Sequence, residues 1–241
     1  MQFTSEQRLD DGVLERAFTL GEIPGVLWTP ASTPAPLILS GHNGGLHKRE
    51  DRLVARARHL AAQYGFAVAA IDHPGHGERP KSAADEQARA RLRAAMAAGE
   101  PVEDIFESFI VPLVEQAVPE WRTTLDALLA LPEIGEQVGY SGMAAVGIRL
   151  AALEPRIAAA GFFAGGYVPR AVREQARQVT VPLQFLLQWD DRGNDRQSAL
   201  DLFDAFGAGE KTLHANVGGH AGTPWFEVDD GARFFARHLS R

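Results

Sequence analysis

The chain has 241 residues, 45% hydrophobic and 23% charged, with a formal net charge of −7 and no cysteine. That length can bury a core that needs no metal or disulfide staple, and the acidic balance argues against nucleic acid or an anionic membrane as the main partner. The missing thiols exclude a cysteine nucleophile, a cysteine zinc site and any disulfide. Met1 to Gly12 is polar and acidic and lacks the basic-then-apolar order of a signal peptide. No apolar stretch approaches the ~18–20 residues of a spanning helix. The expectation is a cytoplasmic, soluble chain forming one domain over residues 1–241.

Two short runs, Val13–Thr19 and Gly25–Thr29, predict an antiparallel pair turned at Gly21 and Pro24. Pro36–Ser40 is continuously apolar up to its last residue, as suits a strand covered on both faces, and a His42-Asn43-Gly44-Gly45 turn follows. Glu50–Tyr64 has helical spacing, with Leu53, Ala57, Leu60 and Ala61 on one side. Phe66–Ile71 is the next strand, closed by the turn residues Asp72 to Gly77.

From Lys81 to Val118 the periodicity changes. Ser82–Ala98 has a strong helix composition, Gly99 and Pro101 stop it, and Val102–Ala117 is a second, more apolar helical stretch interrupted by Pro112. An insertion this long between a strand and the next core helix, Glu120–Leu131, predicts a small helical cap at about 81–118. Strand and helix then alternate: Glu136–Tyr140, Met143–Leu153, Ile157–Phe163, a helix ending near Gln178, Leu183–Gln188, Gln197–Phe206, Lys211–Asn216 and Phe226–Leu239. This alternation means βαβ units and a mostly parallel, doubly wound α/β sheet.

The chemistry gathers at four places. Gly139-Tyr140-Ser141-Gly142-Met143 lies between a predicted strand and a small-residue helix, where a strand-to-helix turn can present a serine; the competing reading makes Ser141 a helix N-cap. Gly44, with Asn43 and Gly45 as alternatives, would offer one backbone N–H to an oxyanion and Gly142 the other; the competing reading is a plain tight turn. Asp191 ends an apolar strand and can orient a histidine, with Asp190 and Asp195 as the competing acids. His220, flanked by Gly218, Gly219 and Gly222, can take and return a proton near neutral pH. His73 and His76 share a turn, but no acid cluster accompanies them, so no metal is expected; His42 is read as a buttress of the glycine turn.

These residues, in the chain order Ser, Asp, His, resemble the α/β-hydrolase superfamily, in its dienelactone-hydrolase-like and small bacterial esterase branch, over about Val13 to Leu239. The resemblance implies an α/β-hydrolase fold, Ser141 as nucleophile, His220 as base, Asp191 as orienting acid and no cofactor. Met143 departs from the family's glycine, and the family's cysteine-dependent activity is not implied for a chain without cysteine.

The function expected is a serine hydrolase cleaving a carboxylic ester, lactone or thioester of a small to medium acyl substrate through an acyl-enzyme on Ser141. The alternative is a non-hydrolytic ligand-binding or biosynthetic accessory protein, or a cofactor-free lyase, cyclase or acyltransferase on the same scaffold. Phe106 and Phe109 on the cap, with Trp189 and Trp225, are the expected substrate-binding side chains. The expected partner is a small ester-like molecule.

Overall fold

The structure, a computed structural model, describes residues 1–164 and 167–239, without the Met96 side chain. The last two residues of the expected 1–241 domain therefore lie outside it. In chain order the elements are β1 (Gln2–Arg8), β2 (Leu14–Leu20), β3 (Ile23–Thr29), β4 (Ala35–Ser40), α1 (Asp51–Tyr64), β5 (Ala67–Ile71), α2 (Ala83–Ala98), α3 (Glu103–Leu129), β6 (Ile134–Met143), α4 (Ala144–Leu153), β7 (Ile157–Phe163), α5 (Arg170–Gln175), β8 (Leu183–Gln188), α6 (Arg196–Ala205), β9 (Lys211–Asn216) and α7 (Phe226–Leu239).

All nine strands join one sheet in the order β1-β2-β3-β5-β4-β6-β7-β8-β9. The first three and the β3–β5 contact are antiparallel. From β5 through β4 to β9 every pairing is parallel. This is the expected mostly parallel, doubly wound arrangement, the α/β-hydrolase fold. Its central strands are buried on both sides, which is why they are continuously apolar rather than alternating. The chain winds one way from β4 to β5 and the other way from β6 onward. The strand order therefore reverses beside β4, and the C-terminal ends of β4 and β6 border the crevice where such sheets place their sites.

Two apolar layers cover the sheet. α1 and α7 cover one face, with Trp28, Ile38, Leu60, Ala159 and Phe235 among the buried residues. α3 and α4 cover the other, with α5 and α6 beside them and Trp121, Tyr140 and Phe162 at the centre. α1 starts where the Glu50 carboxylate accepts from the amides of Arg52 and Leu53, and stops at Gly65, whose φ of 72° only glycine adopts without strain.

Three expectations change. Gln2–Arg8 is a strand, β1, although its residues are polar and nearly all exposed, because it is the outer strand of the sheet and buries little. The predicted break between a cap helix and a core helix is absent: α3 runs for 27 residues through Pro112 and Pro119. Each proline removes a backbone donor, but nine buried side chains along α3 anchor the continuous helix. β6 runs three residues past Tyr140, to Met143, because β7 pairs with it up to Phe163.

Candidate active site

Asp191 and His220 stand on the loops that follow β8 and β9. His220 donates from Nδ1 to Asp191 Oδ2 at 2.7 Å, while the other Asp191 oxygen accepts the Gly193 amide at 2.9 Å. With Nδ1 as the donor, the neutral ring leaves the Nε2 lone pair open to take a proton. The Asp191 side chain is nearly buried and that of His220 is about half exposed, so the carboxylate is fixed and the imidazole is reachable from solvent.

Asp190 has a different task. Its carboxylate accepts the amides of Gly218 and Gly219, which hold its carboxyl below the usual range, Gly219 most. It thereby folds the histidine loop, whose Gly218 and Gly219 have φ of 132° and 69°. Gln188 adds a bond from Nε2 to Gly219 O at 2.8 Å. Arg52 of α1 donates to the carbonyls of Ala221 and Thr223, binding the far side of the same loop to that helix. Sequence reasoning missed Arg52, since its partners are backbone carbonyls of a distant loop, which leave no local signal.

Ser141 lies elsewhere than expected. It is inside β6, paired across the sheet with Ser40 on one side and Gly161 on the other, and its carbonyl accepts the Gly41 amide at 2.9 Å. Its Oγ points to the α7 face: a Cβ built on Gly161 would be 3.6 Å from Ser141 Oγ and 3.5 Å from Phe235. Among the described residues no hydrogen bond joins Ser141 to His220. Gly142 is also within β6, paired with Phe162, so its amide belongs to the sheet rather than to an open turn. Its φ of 155° and the closeness of the Gly41 carbonyl leave no room for a side chain there. The change from strand to helix comes at Met143 and Ala144, and α4 begins without a side-chain cap. Gly44 is exposed at the tip of its turn, where the Leu46 amide bonds to Asn43 O at 3.1 Å.

The glycine turn rests on three histidines. The rings of His42 and His73 are 4.2 Å apart and those of His42 and His76 are 5.2 Å apart. Each ring is committed as a neutral acceptor: His42 Nε2 accepts from the His73 amide, His73 Nε2 from Trp121 Nε1–H, and His76 Nε2 from an Arg89 Nη2–H. Burial, the main cause, lowers all three pKa values, that of His42 to about 4. With those lone pairs occupied, the cluster is a buttress and is poorly suited to a metal. Beside it, burial alone would raise Asp72, but the Lys48 ammonium at 2.7 Å and the amides of Lys48 and Glu78 hold it below the usual carboxylate range. This pair ties the segment after the glycine turn to the turn after β5.

A second group, His214, Glu227 and Asp230, could bring one ligand atom each within 4.8 Å of one another. Glu227 already accepts His214 Nδ1 and Asn216 Nδ2, both at 2.7 Å, which explains its two oxygens without an ion.

The four expected substrate-binding side chains do not converge. Phe106 of α3 stacks on Tyr167 at 5.2 Å, and Phe109 lies under the Arg89 guanidinium at 4.8 Å. Trp225 stands at the start of α7 with its edge on His59 of α1, on the opposite side of the sheet. Trp189 is half exposed at the end of β8 with Arg196 over its ring. The cleft of about 660 Å³ between α2, α3 and the Gly75 turn takes in Phe109, Ser108 and Arg79, and it includes neither Asp191 nor His220. The Phe163 ring lies 5.7 Å from the His220 ring.

The sheet order and the aspartate–histidine pair at its C-terminal edge define a molecule with the α/β-hydrolase fold, and solved structures similar to it include esterases of that type. The chain is similar to a cold-adapted esterase from an Arctic intertidal metagenomic library, solved in complex with PEG: 29% identical, covering 100% of both chains, TM-score 0.78. It is also similar in fold to an esterase of Pyrococcus furiosus (12% identity, 99% and 93% covered, TM-score 0.68). Acetyl xylan esterase 1 from Thermoanaerobacterium sp. matches at 13% identity over 100% and 88%, with a TM-score of 0.69. No protein-family model and no curated protein matches the chain. No described helix is long and apolar enough to cross a membrane.

Proposed function

We propose that the chain hydrolyses carboxylic esters at the C-terminal edge of β4 and β6, with His220 as the base and Asp191 as the acid that fixes its tautomer. The observation that carries this is the 2.7 Å bond from His220 Nδ1 to Asp191, which leaves Nε2 to accept a proton. The likeness to an esterase at 29% identity over the whole of both chains supports the reaction class. In the step that needs the base, Nε2 takes a proton from the attacking oxygen as that oxygen bonds to the ester carbonyl carbon. The imidazolium then returns the proton to the departing alkoxide. Asp191 stabilises the imidazolium and keeps the proton on the correct nitrogen.

Turnover of p-nitrophenyl esters of graded chain length tests the reading, with circular dichroism confirming that each variant folds. His220→Ala and Asp191→Asn should each lower kcat by ~10²–10⁴. Asp190→Asn should do less, by loosening a loop rather than removing the orienting charge. Esters left untouched by wild-type protein, or equal losses from the two Asp variants, would reject the assignment.

One observation favours a second reading. The side chain at the strand-to-helix turn, Ala144, carries no nucleophilic atom. A ligand-binding or accessory protein on this scaffold would tolerate that. Saturable binding of ester-like ligands with no turnover would select this reading.

A further inference from the structure

We propose that Ala144, not Ser141, occupies the nucleophile position of this fold, so that ester hydrolysis here passes through water activated by His220 and forms no acyl-enzyme. The proposal rests on the site assigned to Asp191 and His220 and names what reacts there.

A side-chain nucleophile in an α/β-hydrolase sits on the sharp turn from strand to helix, above the C-terminal edge of the sheet. In this chain that turn is bounded by Met143, the last residue of β6, and Ala144, the first of α4. The base lies at the same level. Met143 is paired across the sheet with Phe163, and the Phe163 ring is 5.7 Å from the His220 ring. Ser141 is paired with Gly161, two residues further from the edge, or about 6.6 Å at ~3.3 Å per residue. It also faces sideways, toward Phe235 under α7, as the alternation of β6 requires: Gly139, two residues earlier, abuts Phe235 and Leu239.

The backbone carries the same sign. The turn that presents a nucleophile is strained, yet among the described residues none but glycine has positive φ. Gly142 absorbs the close passage past Gly41, and Ala144 enters its helix relaxed. On this placement a methyl group stands where a hydroxyl would bond to His220 Nε2, and the proton that Nε2 accepts comes from water. Nε2 takes one proton of that water, and the hydroxide oxygen bonds to the carbonyl carbon. The tetrahedral intermediate collapses as the ester C–O bond breaks, and the alkoxide recovers the proton from the imidazolium. By the same geometry the amide following the turn, that of Ala145, replaces Gly142 as an oxyanion donor.

The chain has no cysteine, so a single introduced thiol reports its own surroundings. Ala144→Cys and Ser141→Cys are alkylated with iodoacetamide across pH 5 to 9, each with and without His220→Ala. A thiol beside His220 should have its pKa lowered by about two units. At pH 6 that raises the thiolate fraction some ~75-fold and lowers its intrinsic reactivity ~8-fold, a net gain of about tenfold. That gain is expected for Ala144→Cys and should vanish with His220→Ala, while Ser141→Cys should show no dependence on His220. As a second measurement, a fluorophosphonate should leave wild-type protein unlabelled and label Ala144→Ser at position 144.

An activated thiol at 141 with an ordinary one at 144, or wild-type labelling at Ser141, would overturn the assignment. So would an Ala144→Cys thiol unaffected by His220→Ala in a folded protein. These readouts do not depend on turnover. Wild-type protein that hydrolysed no ester, yet gave a His220-dependent thiol at 144, would defeat the proposed reaction and uphold the position.

Discussion

Acid should destabilise this protein through its buried histidines before most carboxylates titrate. His42 is 2% exposed, donates from Nδ1 to Asn43 O at 2.9 Å and accepts the His73 amide on Nε2 at 3.0 Å, so the folded state requires the neutral ring. Its pKa falls from 6.5 to about 4, mainly through burial. The folded pKa lies below the unfolded one, so the unfolded chain binds the extra proton. The stabilisation is complete above about pH 6.5 and is lost as pH falls through about 4. Linkage over that shift gives about 2 kcal/mol lost by pH 5 and about 3 kcal/mol by pH 4. For a domain of this size the first figure is about 4–8 °C in Tm. Thermal unfolding followed by circular dichroism at pH 7, 6 and 5 measures it. His42→Asn should start from a lower Tm but lose about 4–8 °C less than wild type between pH 7 and pH 5. Parallel curves for the two proteins would refute the reasoning.

Asp72→Asn should cost about 3 kcal/mol in urea unfolding, because Lys48 is only 3% exposed and would keep a single, largely exposed partner in Glu78. Adding Lys48→Met should recover part of that loss, and a purely additive double variant would show that the pair is not coupled. Gly142→Ala should destabilise by about 2 kcal/mol or more, since its φ of 155° and the adjacent Gly41 carbonyl both oppose a Cβ. An unchanged urea midpoint would mean that β6 can move away from β4.

The sheet was readable from the sequence because strands buried on both faces are written as unbroken apolar runs. β7, β8, β9 and α7 fall on the expected residues. β1 was not readable, since an outer strand of polar residues has no hydrophobic signature. That Asp191 and His220 could meet was also legible, because glycines around His220 and a carboxylate at a strand end are local features. The position of the turn was not. Gly139, Gly142, Ala144, Ala145 and Gly147 are all small, so the sequence permits the strand to end anywhere among them. What decides it is pairing with β7, a contact between distant segments that extends β6 to Met143 and carries Ser141 inside the sheet. The prolines of α3 misled in the same way: their local cost is real, and burial along the helix outweighs it.

The continuity of α3 bears on which parts of the helical layer could move relative to the sheet. Twenty-seven residues make a rod of about 40 Å. Its second half is locked into the core at Trp121, Leu125 and Leu128. Its first half therefore cannot swing as a separate lid. Tyr167 and the Arg170 amide bind Glu107, in that first half, to the chain beyond β7. α2 is different: it packs on α3, and Ala95 is the one residue among its described side chains that is buried. Between the two helices lie Gly99, with φ of 68°, and Pro101, which form a natural pivot. Over this side of the molecule α2 is thus the helix least held by burial, its Arg89 reaching His76 and the Phe109 ring while α3 forms a fixed beam.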